Sequence, residues 1–503
     1  MKKIYTLTMF LSFLAGISQE ITTQDALRYA VDDITGTARF RGMSGAFGAV
    51  GGDLSSINVN PAGSAIFNHN MFSVTASNLN TKNKSNYFNT NNKETYSTLD
   101  LNQLGAVFVF KDNNPENNWK KFAIALNYEN TKNLDNNLSF SGNNTSNSID
   151  QYFLRFANGI GNEGVFNIND ANANFETLPF IDQQAWLGYN SYIVEHDATN
   201  NEYFTNVPDN TIYQQSRFNR SSGYNGKFSA NFSTSFKDRL YLGMNLNLHF
   251  TDYTSVTQLK ETNNGLYPDG ASVSYIIFNN EQYTTGNGFS LNLGAIAKIT
   301  DDFRLGLAYE SPTWQNLTDQ LYQNLYTERT EAPNNNTFIT KVTDPNITIE
   351  FAPYKIKTPA KWTLSGAYII NKTGLISADV SRKDYSNTQF KPVRDFSGIN
   401  RTMSEDLTEA YEVRIGGEYK IKQVSLRAGY RFEQSPYKVD YAMGDLTGFS
   451  GGIGYNFGIS RLDLAYSNSH RNYNQRFVSS GMNDTARIRT IQNNMTLTYS
   501  INF

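Results

Sequence analysis

The sequence predicts an all-β fold, a transmembrane antiparallel β-barrel of about 14 strands with an N-terminal hatch in its lumen. The first observation is a period of two, because apolar and polar residues alternate in many segments after residue 70. The second is that short and long connections between these segments alternate along the chain. The third is composition, since 31 Tyr and 34 Phe accompany a hydrophobic content of only 39%. Outer-membrane barrels combine these features, because their strands alternate lipid-facing with lumen-facing side chains between aromatic girdles.

The net charge of -3 and the absence of cysteine exclude several classes of function. The charge predicts no basic surface for nucleic acid. A chain without cysteine has no disulfides, no thiolate metal sites and no lipid anchor on an N-terminal cysteine. We therefore expect no nucleic-acid partner, no metal and no cofactor.

Residues 1–18 are interpreted as a secretory signal peptide. Lys2 and Lys3 precede the apolar run IYTLTMFLSFLAG, and the small residues Gly16 and Ser18 mark a cleavage site. The mature chain is expected to begin near Gln19. The run is too short to span a bilayer, and no later stretch reaches the ~18 apolar residues that a spanning helix requires.

The alternating segments are interpreted as strands with one apolar and one polar face. In segment 122–129, aromatic and aliphatic residues occupy the even positions, with small or polar residues at the odd ones, Tyr128 closing the apolar side. An even number of strands near 14 is typical of bacterial barrels. The predicted strands are 71–79, 99–110, 122–129, 228–236, 240–250, 289–299, 303–309, 362–370, 375–385, 411–421, 424–432, 451–457, 462–466 and 495–503.

The connections between the strands predict the orientation of the barrel. Short turns on the periplasmic side and long loops outside are typical of outer-membrane barrels, which places both termini in the periplasm. The short turns fall around 237–238, 300–302, 371–374, 422–423 and 458–460. The long polar insertions fall at 80–98, 132–215, 258–283, 312–345, 391–408 and 468–487.

Residues 39–67 fit no strand and are predicted to be a plug, part of a hatch domain at 19–68 that precedes the barrel at 69–503. Their regularly spaced glycines allow positive φ and close backbone packing. Asp53 is a possible N-cap for a helical turn over 54–58 that Pro61 ends, and a short helix is possible over 24–31. The residues assigned to the hatch are Gly42, Gly45, Gly48, Gly51, Asp53, Asn60, Pro61 and Ala62.

The largest loop, 132–215, contains apolar clusters that a purely solvated loop would lack. They include Phe153, Phe156, Phe180 and Trp186. One interpretation is a loop that folds on a small core of its own. The other is an apolar capture site for a ligand at the outer mouth.

Charged residues of both signs concentrate on the polar faces of the late strands. One interpretation is a network of ion pairs that fills the lumen and holds the hatch. The other is that an arginine such as Arg414 or Arg427 binds the carboxylate of a ligand. The residues of this set are Asp379, Lys383, Glu412, Arg414, Glu418, Lys420, Arg427, Arg431 and Glu433.

The four histidines show no metal-binding spacing, and no serine nucleophile motif is present, so we do not expect an enzyme. His249 falls on a predicted lumenal face within a strand. Hydrogen bonding there is one interpretation, and ligation of haem iron is the other.

Three segments in order resemble the FadL/TodX family of outer-membrane transporters for long-chain fatty acids and other hydrophobic molecules. The first is similar to the family's Asn-Pro-Ala hatch motif, and the second to a strand pair of the family. The resemblance spans most of the mature chain. The segments are Asp53-Leu54-Ser55 with Asn60-Pro61-Ala62-Gly63, then Thr358 to Trp362 with Asp379 and Asp384-Tyr385-Ser386, then Arg414 to Lys438.

The resemblance implies passive transport of hydrophobic small molecules across the outer membrane of a Gram-negative bacterium. A ligand would enter an apolar groove among the outer loops, reach a lumenal site and leave sideways into the bilayer when the hatch shifts. Burial of each methylene contributes about 0.8 kcal/mol, so an apolar pocket suffices for binding. In the family a kink in the third strand makes the lateral opening, whereas segment 122–128 has no glycine or proline to mark one.

The expected partners are outer-membrane lipids, a hydrophobic small-molecule ligand and the barrel-assembly machinery, which would recognise the last strand with its terminal Phe503. We expect a monomer. Two other functions stay open: a hemin-binding receptor on the same fold, a label that some similar chains carry, and a structural or adhesive barrel that transports nothing.

Overall fold

The computed structural model describes residues 21–160, 164–331, 334–371 and 373–503. The predicted signal peptide and the predicted start of the mature chain at Gln19 lie outside these residues. In the described ranges, no helix has the length and apolar character needed to cross a membrane.

The described residues form a closed antiparallel barrel of 14 strands, which confirms the predicted fold class. Strands that follow one another in sequence pair in the sheet, and the last pairs with the first from Met71↔Asn502 to Asn86↔Arg487. The strands are β1 (Met71–Tyr87), β2 (Thr90–Lys111), β3 (Trp119–Asn133 and Asn136–Asn144), β4 (Tyr213–Phe236), β5 (Leu240–Thr262), β6 (Ala271–Lys298), β7 (Phe303–Glu310 and Trp314–Glu331), β8 (Asn334–Thr343, Thr348–Glu350, Tyr354–Lys357 and Lys361–Ile370), β9 (Gly374–Asp384), β10 (Glu409–Ile421), β11 (Val424–Glu433), β12 (Leu446–Asn456), β13 (Ser460–Arg476) and β14 (Thr485–Asn502).

The two faces of each strand differ as the alternation predicts. On β5, Leu246 and Leu248 are 39% and 50% exposed on the outside of the barrel. Asn245 and Asn247 are buried on the inside, where the Asn247 amide donates to Asn292 Oδ1 at 2.6 Å. The barrel therefore has an apolar outer belt and a lumen of hydrogen-bonded polar side chains.

Most of the predicted outer loops are strands, so their assignment as loops is wrong. Residues 80–98 form the outer halves of β1 and β2, which turn at Phe88 and Asn89 with positive φ. The ladders continue because backbone hydrogen bonds do not depend on apolar side chains. Strands also run through much of 258–283, 312–345 and 468–487. Segment 391–408 contains a helix, Ser397–Asp406. The predicted short turns on the opposite side are present, and an outer connection at 434–445 was not predicted.

The N-terminal segment, residues 21–70, lies inside the barrel. It begins with α1 (Thr23–Ala30), near the helix predicted over 24–31, and continues with α2 (Ala38–Gly42). Two short 3-10 helices follow, Leu54–Asn58 and Pro61–Ile66. Nearly every residue from 36 to 65 is buried, although few are large and apolar, because the barrel wall surrounds them.

The insertion within 132–215 folds on a core that it shares with the outer ends of the strands, through residues such as Phe278 and Leu325, so the interpretation of a core of its own is wrong. It contains α3 (Asp150–Ala157), α4 (Phe180–Asn190) and a hairpin of Val194–Asp197 with Glu202–Thr205. Phe153 and Phe156 are fully or almost fully buried in this core, together with Phe477 from the β13–β14 connection. The insertion caps the outer end of the barrel.

Candidate functional site

Asp53 and Asn60 hold the N-terminal segment in shape. The Asp53 carboxylate accepts from Ser55 N at 3.0 Å and from Thr37 Oγ1 at 2.7 Å, so it caps the first 3-10 helix and ties it to α2. Burial raises the pKa of this carboxyl. Asn60 caps the second 3-10 helix through Ala62 N at 3.1 Å. Its amide also donates to Gly48 O at 2.8 Å and, across to β6, to Ala295 O at 3.0 Å.

The glycines of the segment allow its close approach to the wall. A Cβ on Gly48 would lie 2.0 Å from Ser365 Oγ of β8. Gly45 and Gly51 have φ of +75° and +63°, a conformation that other residues adopt only with strain. Gly42 faces Gly452 of β12, and its Cβ would lie 3.4 Å from the Gly452 Cα.

A matching set of glycines on the barrel wall was not identified from the sequence. They lie on inward-facing positions of five strands, and each contacts the N-terminal segment. For Gly243 an added Cβ would lie 2.4 Å from the carbonyl carbon of Pro61, and for Gly306 it would lie 2.3 Å from Gly48 O. The sequence did carry a signal for them, since each lies at an inward-facing position of its strand. A glycine within a strand often marks a place where another backbone approaches closely. The wall glycines are Gly243, Gly294, Gly306, Gly416 and Gly429.

Lumenal carboxylates bind the segment to the late strands. Asp379 accepts from Phe47 N at 3.0 Å and from Gly48 N at 3.1 Å. Arg39 of α2 pairs with Glu418 at 2.9 Å. Arg427 links Glu418 at 2.7 Å to Asp463 at 2.9 Å. These contacts place Asp379 and Arg427 in a network that holds the segment.

A second set of ion pairs lies beside the first. Glu412 pairs with Arg414 at 2.6 Å and with Arg431 at 2.8 Å, and Arg431 also reaches Glu433 at 2.6 Å. Each arginine predicted as a possible partner for a ligand carboxylate is therefore already paired with a carboxylate of the protein.

Asp32 joins this second set to the start of the segment, because its backbone oxygen accepts from Arg431 Nη2 at 3.0 Å. Its carboxylate lies 3.1 Å from Lys361 Nζ and 3.2 Å from Lys383 Nζ. Burial alone would raise its pKa, but Lys383 and Lys361 hold the pKa of Asp32 well below its ordinary value.

Replacing Arg427 with Ala is expected to destabilise the folded barrel by about 3–5 kcal/mol, because Glu418 and Asp463 would lose a buried partner. Unfolding of the purified protein by urea in detergent measures this. Arg382→Ala is the control, since Arg382 forms an exposed ion pair with Glu409 and exposed pairs contribute at most about 1 kcal/mol. Equal unfolding midpoints for the two variants would contradict the structural role.

A large cavity of about 800 Å³ lies at the outer mouth, above α1. Its lining mixes aromatic and aliphatic side chains with amides and hydroxyls. Of the predicted capture residues, Phe180 lines this cavity, whereas Phe153, Phe156 and Trp186 belong to the core of the insertion. The apolar lining includes Leu138, Tyr152, Phe180, Tyr253, Leu259, Phe278, Leu321, Tyr354, Ile399 and Tyr437.

Arg217 of β4 lines the outer cavity and was not identified from the sequence. It donates to the carbonyl oxygens of Arg476 and Phe477 at 3.1 and 2.8 Å, and its Nε has no hydrogen-bond partner. Among the described residues it makes no ion pair. In contrast, the neighbouring cavity cation Arg28 pairs with Asp25 at 2.7 Å. Arg217 is therefore a cation in the cavity wall without a protein carboxylate.

Two smaller cavities lie on the inner side of α1. One, of about 100 Å³, is lined by Tyr29, Ile34 and His249, and the other, of about 70 Å³, by Ile34 and Arg41. His249 Nε2 lies 2.8 Å from Ser290 Oγ, so it is hydrogen-bonded. Arg41 makes no ion pair in the described ranges, and burial lowers its pKa to about 10.

The backbone ladder between β2 and β3 ends beside these cavities, and beyond its end the Asn130 amide donates to Asp100 Oδ2 across the two strands. Their pairing stops at Gln103↔Glu129, beyond which β2 pairs with β1 alone. The outer part of β3 instead lies behind β1 and β2, where Asn83 donates to Asn137 O at 2.7 Å and Ser141 N donates to Asn92 Oδ1 at 3.0 Å. The sequence signal is Gly223 on β4, opposite the interruption of β3, with φ of +123°. On the inside, Gly36 N donates to Asn102 Oδ1 at 2.6 Å, so the N-terminal segment covers the end of the ladder.

Residues 196–502 match the family described as outer membrane protein transport protein (OMPP1/FadL/TodX), which is more than half of the chain. The chain belongs to this family. It is therefore an outer-membrane barrel from a group of transporters of hydrophobic compounds, as the sequence resemblance indicated.

Solved structures of the OMPP1/FadL/TodX family share its fold. The toluene transporter TodX of Pseudomonas putida is 16% identical, with 93% of this chain and 99% of that chain covered and a TM-score of 0.50. A FadL homologue of Pseudomonas aeruginosa is 14% identical, with 94% and 100% covered and a TM-score of 0.53. No curated protein matches the sequence.

Proposed function

We propose that this protein moves amphipathic hydrophobic molecules, with long-chain fatty acids as the preferred class, passively across the outer membrane. The outer cavity carries the proposal. Its volume of about 800 Å³ falls in the range of ~300–1,000 Å³ that is typical of small-molecule sites. Its aromatic and aliphatic lining suits an alkyl chain, for which each buried methylene contributes about 0.8 kcal/mol.

Arg217 favours a ligand with an anionic headgroup over a neutral hydrocarbon. A guanidinium binds a carboxylate through short, charge-assisted hydrogen bonds. Arg217 is already desolvated by the wall and lacks a protein carboxylate, so a ligand carboxylate would supply the missing partner. Arg41 offers a second unpaired cation beside an inner cavity, further along the path.

Replacing Arg217 with Gln is expected to weaken oleate binding by about tenfold or more, the effect of losing one charge-assisted hydrogen bond. Binding of oleyl alcohol, which has the same chain and no charge, should change little. Quenching of tryptophan fluorescence in detergent measures both. Loss of affinity for both ligands alike would mean that Arg217 shapes the cavity and does not recognise the headgroup.

The path inward requires movement of α1. This helix separates the outer cavity from the inner ones. It packs an apolar face that includes Leu27 against the wall, and Lys383 Nζ donates to Ala30 O at 2.6 Å. At the outer end of the helix, Gln24 Nε2 donates to Asn474 O at 3.3 Å. After Gly36 the segment packs backbone against backbone with the wall glycines, whereas α1 contacts the wall through side chains. Gly36 has φ of +97° and provides a hinge between the two parts. We infer that α1 swings, that residues 37–67 remain fixed, and that the ligand leaves between β2 and β3, where their ladder ends.

The proposal also assigns roles in export and assembly to the parts of the chain. Residues 1–18 would direct secretion, 19–68 would form the hatch domain and 69–503 the barrel, which would insert as a monomer. Phe503 is 62% exposed, with its N–H bonded to Asn70 O at 3.1 Å, so its side chain is accessible to the barrel-assembly machinery.

Uptake by cells tests the function. A host that lacks its own fatty-acid channel should take up labelled oleate faster when it expresses this protein. Toluene and hemin, supplied in parallel, distinguish the other ligand classes. Uptake of hemin or toluene without oleate would assign a different substrate, and uptake of none of the three would favour a structural or adhesive barrel.

A further inference from the structure

A row of cations crosses three neighbouring strands on the outer surface of the barrel. Lys84 of β1 lies directly opposite Lys93 of β2 on one side and Arg489 of β14 on the other. Residues opposite one another in antiparallel strands point to the same side of the sheet. All three are exposed, and Lys82 and Arg487 lie at the two diagonal positions. Lys84, Lys93 and Arg489 are here termed the cationic row.

The row lacks neutralising carboxylates. Like charges directly opposite one another destabilise a sheet. In the described part of the chain none of these cations forms an ion pair, whereas the exposed Arg382 elsewhere on the barrel pairs with Glu409. Glu94 is adjacent in sequence, but it points to the inside and accepts from Ser139 Oγ at 2.8 Å. An external anion would therefore relieve the repulsion.

The height of the row above the membrane indicates which anion. The outward apolar belt of these strands ends at the level of Asn78, which pairs with Leu99 of β2 and with Met495 of β14. The side chains of Leu99 and Met495 are 78% and 56% exposed. Lys84 is six residues further along β1, a distance of about 20 Å along the strand. With a strand tilt of about 40° this is roughly 15 Å above the edge of the hydrocarbon layer. Long cationic side chains can reach lower than their backbone.

We propose that the cationic row binds phosphate groups on the sugar headgroup of a glycolipid in the outer leaflet. At this height the row lies beside the headgroup sugars and above the acyl chains, which would contact Leu99 and Met495. Several cations converge on one face, so a single phosphate can accept from two or three of them. The bound lipid would stabilise the β1–β2 hairpin, which pairs with no strand on the β3 side above Gln103.

Native mass spectrometry of the full-length protein in detergent tests the site. The probe is rough-type lipopolysaccharide with a phosphorylated inner core, compared with the same material after removal of its phosphates. Wild type should retain the phosphorylated form at least about tenfold better than Lys84→Gln/Lys93→Gln/Arg489→Gln, the effect expected from the loss of charge-assisted hydrogen bonds. Both proteins should retain the dephosphorylated form equally weakly.

A variant with the same charge loss on the opposite rim, Lys111→Gln/Lys237→Gln/Lys422→Gln, is the control and should bind as wild type does. Heat-modifiable electrophoresis confirms that each variant is folded, and Lys84→Gln alone should give an intermediate loss. Equal retention of the phosphorylated lipid by wild type and by the triple variant of the cationic row would overturn the proposal. Displacement of the lipid by low millimolar inorganic phosphate would also overturn it, because the site would then bind free phosphate.

Discussion

A disulfide between Gln24→Cys and Asn474→Cys is expected to abolish oleate uptake, and reductant should restore it. The bridge would fix α1 to the end of β13, so the outer cavity could not connect to the inner ones. The Gln24 amide already lies 3.3 Å from Asn474 O, so this side chain contacts the end of β13. Because the chain has no native cysteine, no other disulfide can form. The measurement is labelled-oleate uptake by whole cells with and without reductant.

The control disulfide joins the fixed part of the segment to the wall. Ala62 and Tyr241 of β5 belong to one buried apolar cluster, so Ala62→Cys with Tyr241→Cys is the control pair and should not block uptake. If this control pair stops uptake and the α1 pair does not, the moving part is the 3-10 region, and the assignment of α1 as the gate is wrong. If neither pair affects uptake, the N-terminal segment is a static plug.

Adding one methyl group to the wall, in Gly243→Ala, is expected to loosen the plug. The new Cβ would lie 2.4 Å from the Pro61 carbonyl carbon and 2.5 Å from Ala62 N, so backbone must move. Overpacking of this kind typically costs about 1–3 kcal/mol. The unfolding temperature in detergent should fall, and cells should become sensitive to large antibiotics that the intact outer membrane excludes.

Gly366→Ala is the matched control, since Gly366 also lies within a strand and a Cβ there would meet nothing within 4 Å. Removal of a strand glycine without a clash should leave stability equal or slightly higher, because the unfolded chain loses conformational freedom. Identical behaviour of the two variants would show that the contact between Gly243 and Pro61 does not hold the plug.

Local chemistry made parts of the N-terminal segment predictable. Asp53 and Asn60 precede short helical turns, and both act as caps in the structure, because a side-chain oxygen at that position satisfies a free N–H of the first turn. Pro61 stands at the first position of its helix, where its missing N–H has no consequence. Such interactions span two or three residues, so the sequence alone reveals them.

Partners distant in sequence could not be derived in this way. Arg414 and Arg427 were candidates for a ligand carboxylate, and the structure places carboxylates within 2.7 Å of both. Arg217 is unpaired because the strands around it bring carbonyl groups and no acid. The alternation of residues shows which side of a strand is lumenal, but it does not show which strands face each other across the lumen.

By itself, the sequence determined the barrel, its approximate number of strands and the presence of a segment that no strand could accommodate. Period two, turn length and glycine spacing are local properties, and they suffice for those conclusions. The tertiary structure alone decided that wall glycines such as Gly243 and Gly306 receive this segment, that Asp379 and Glu418 bind it, and that Arg217 forms no ion pair among the described residues. These contacts join residues hundreds of positions apart, and closure of the sheet sets their register.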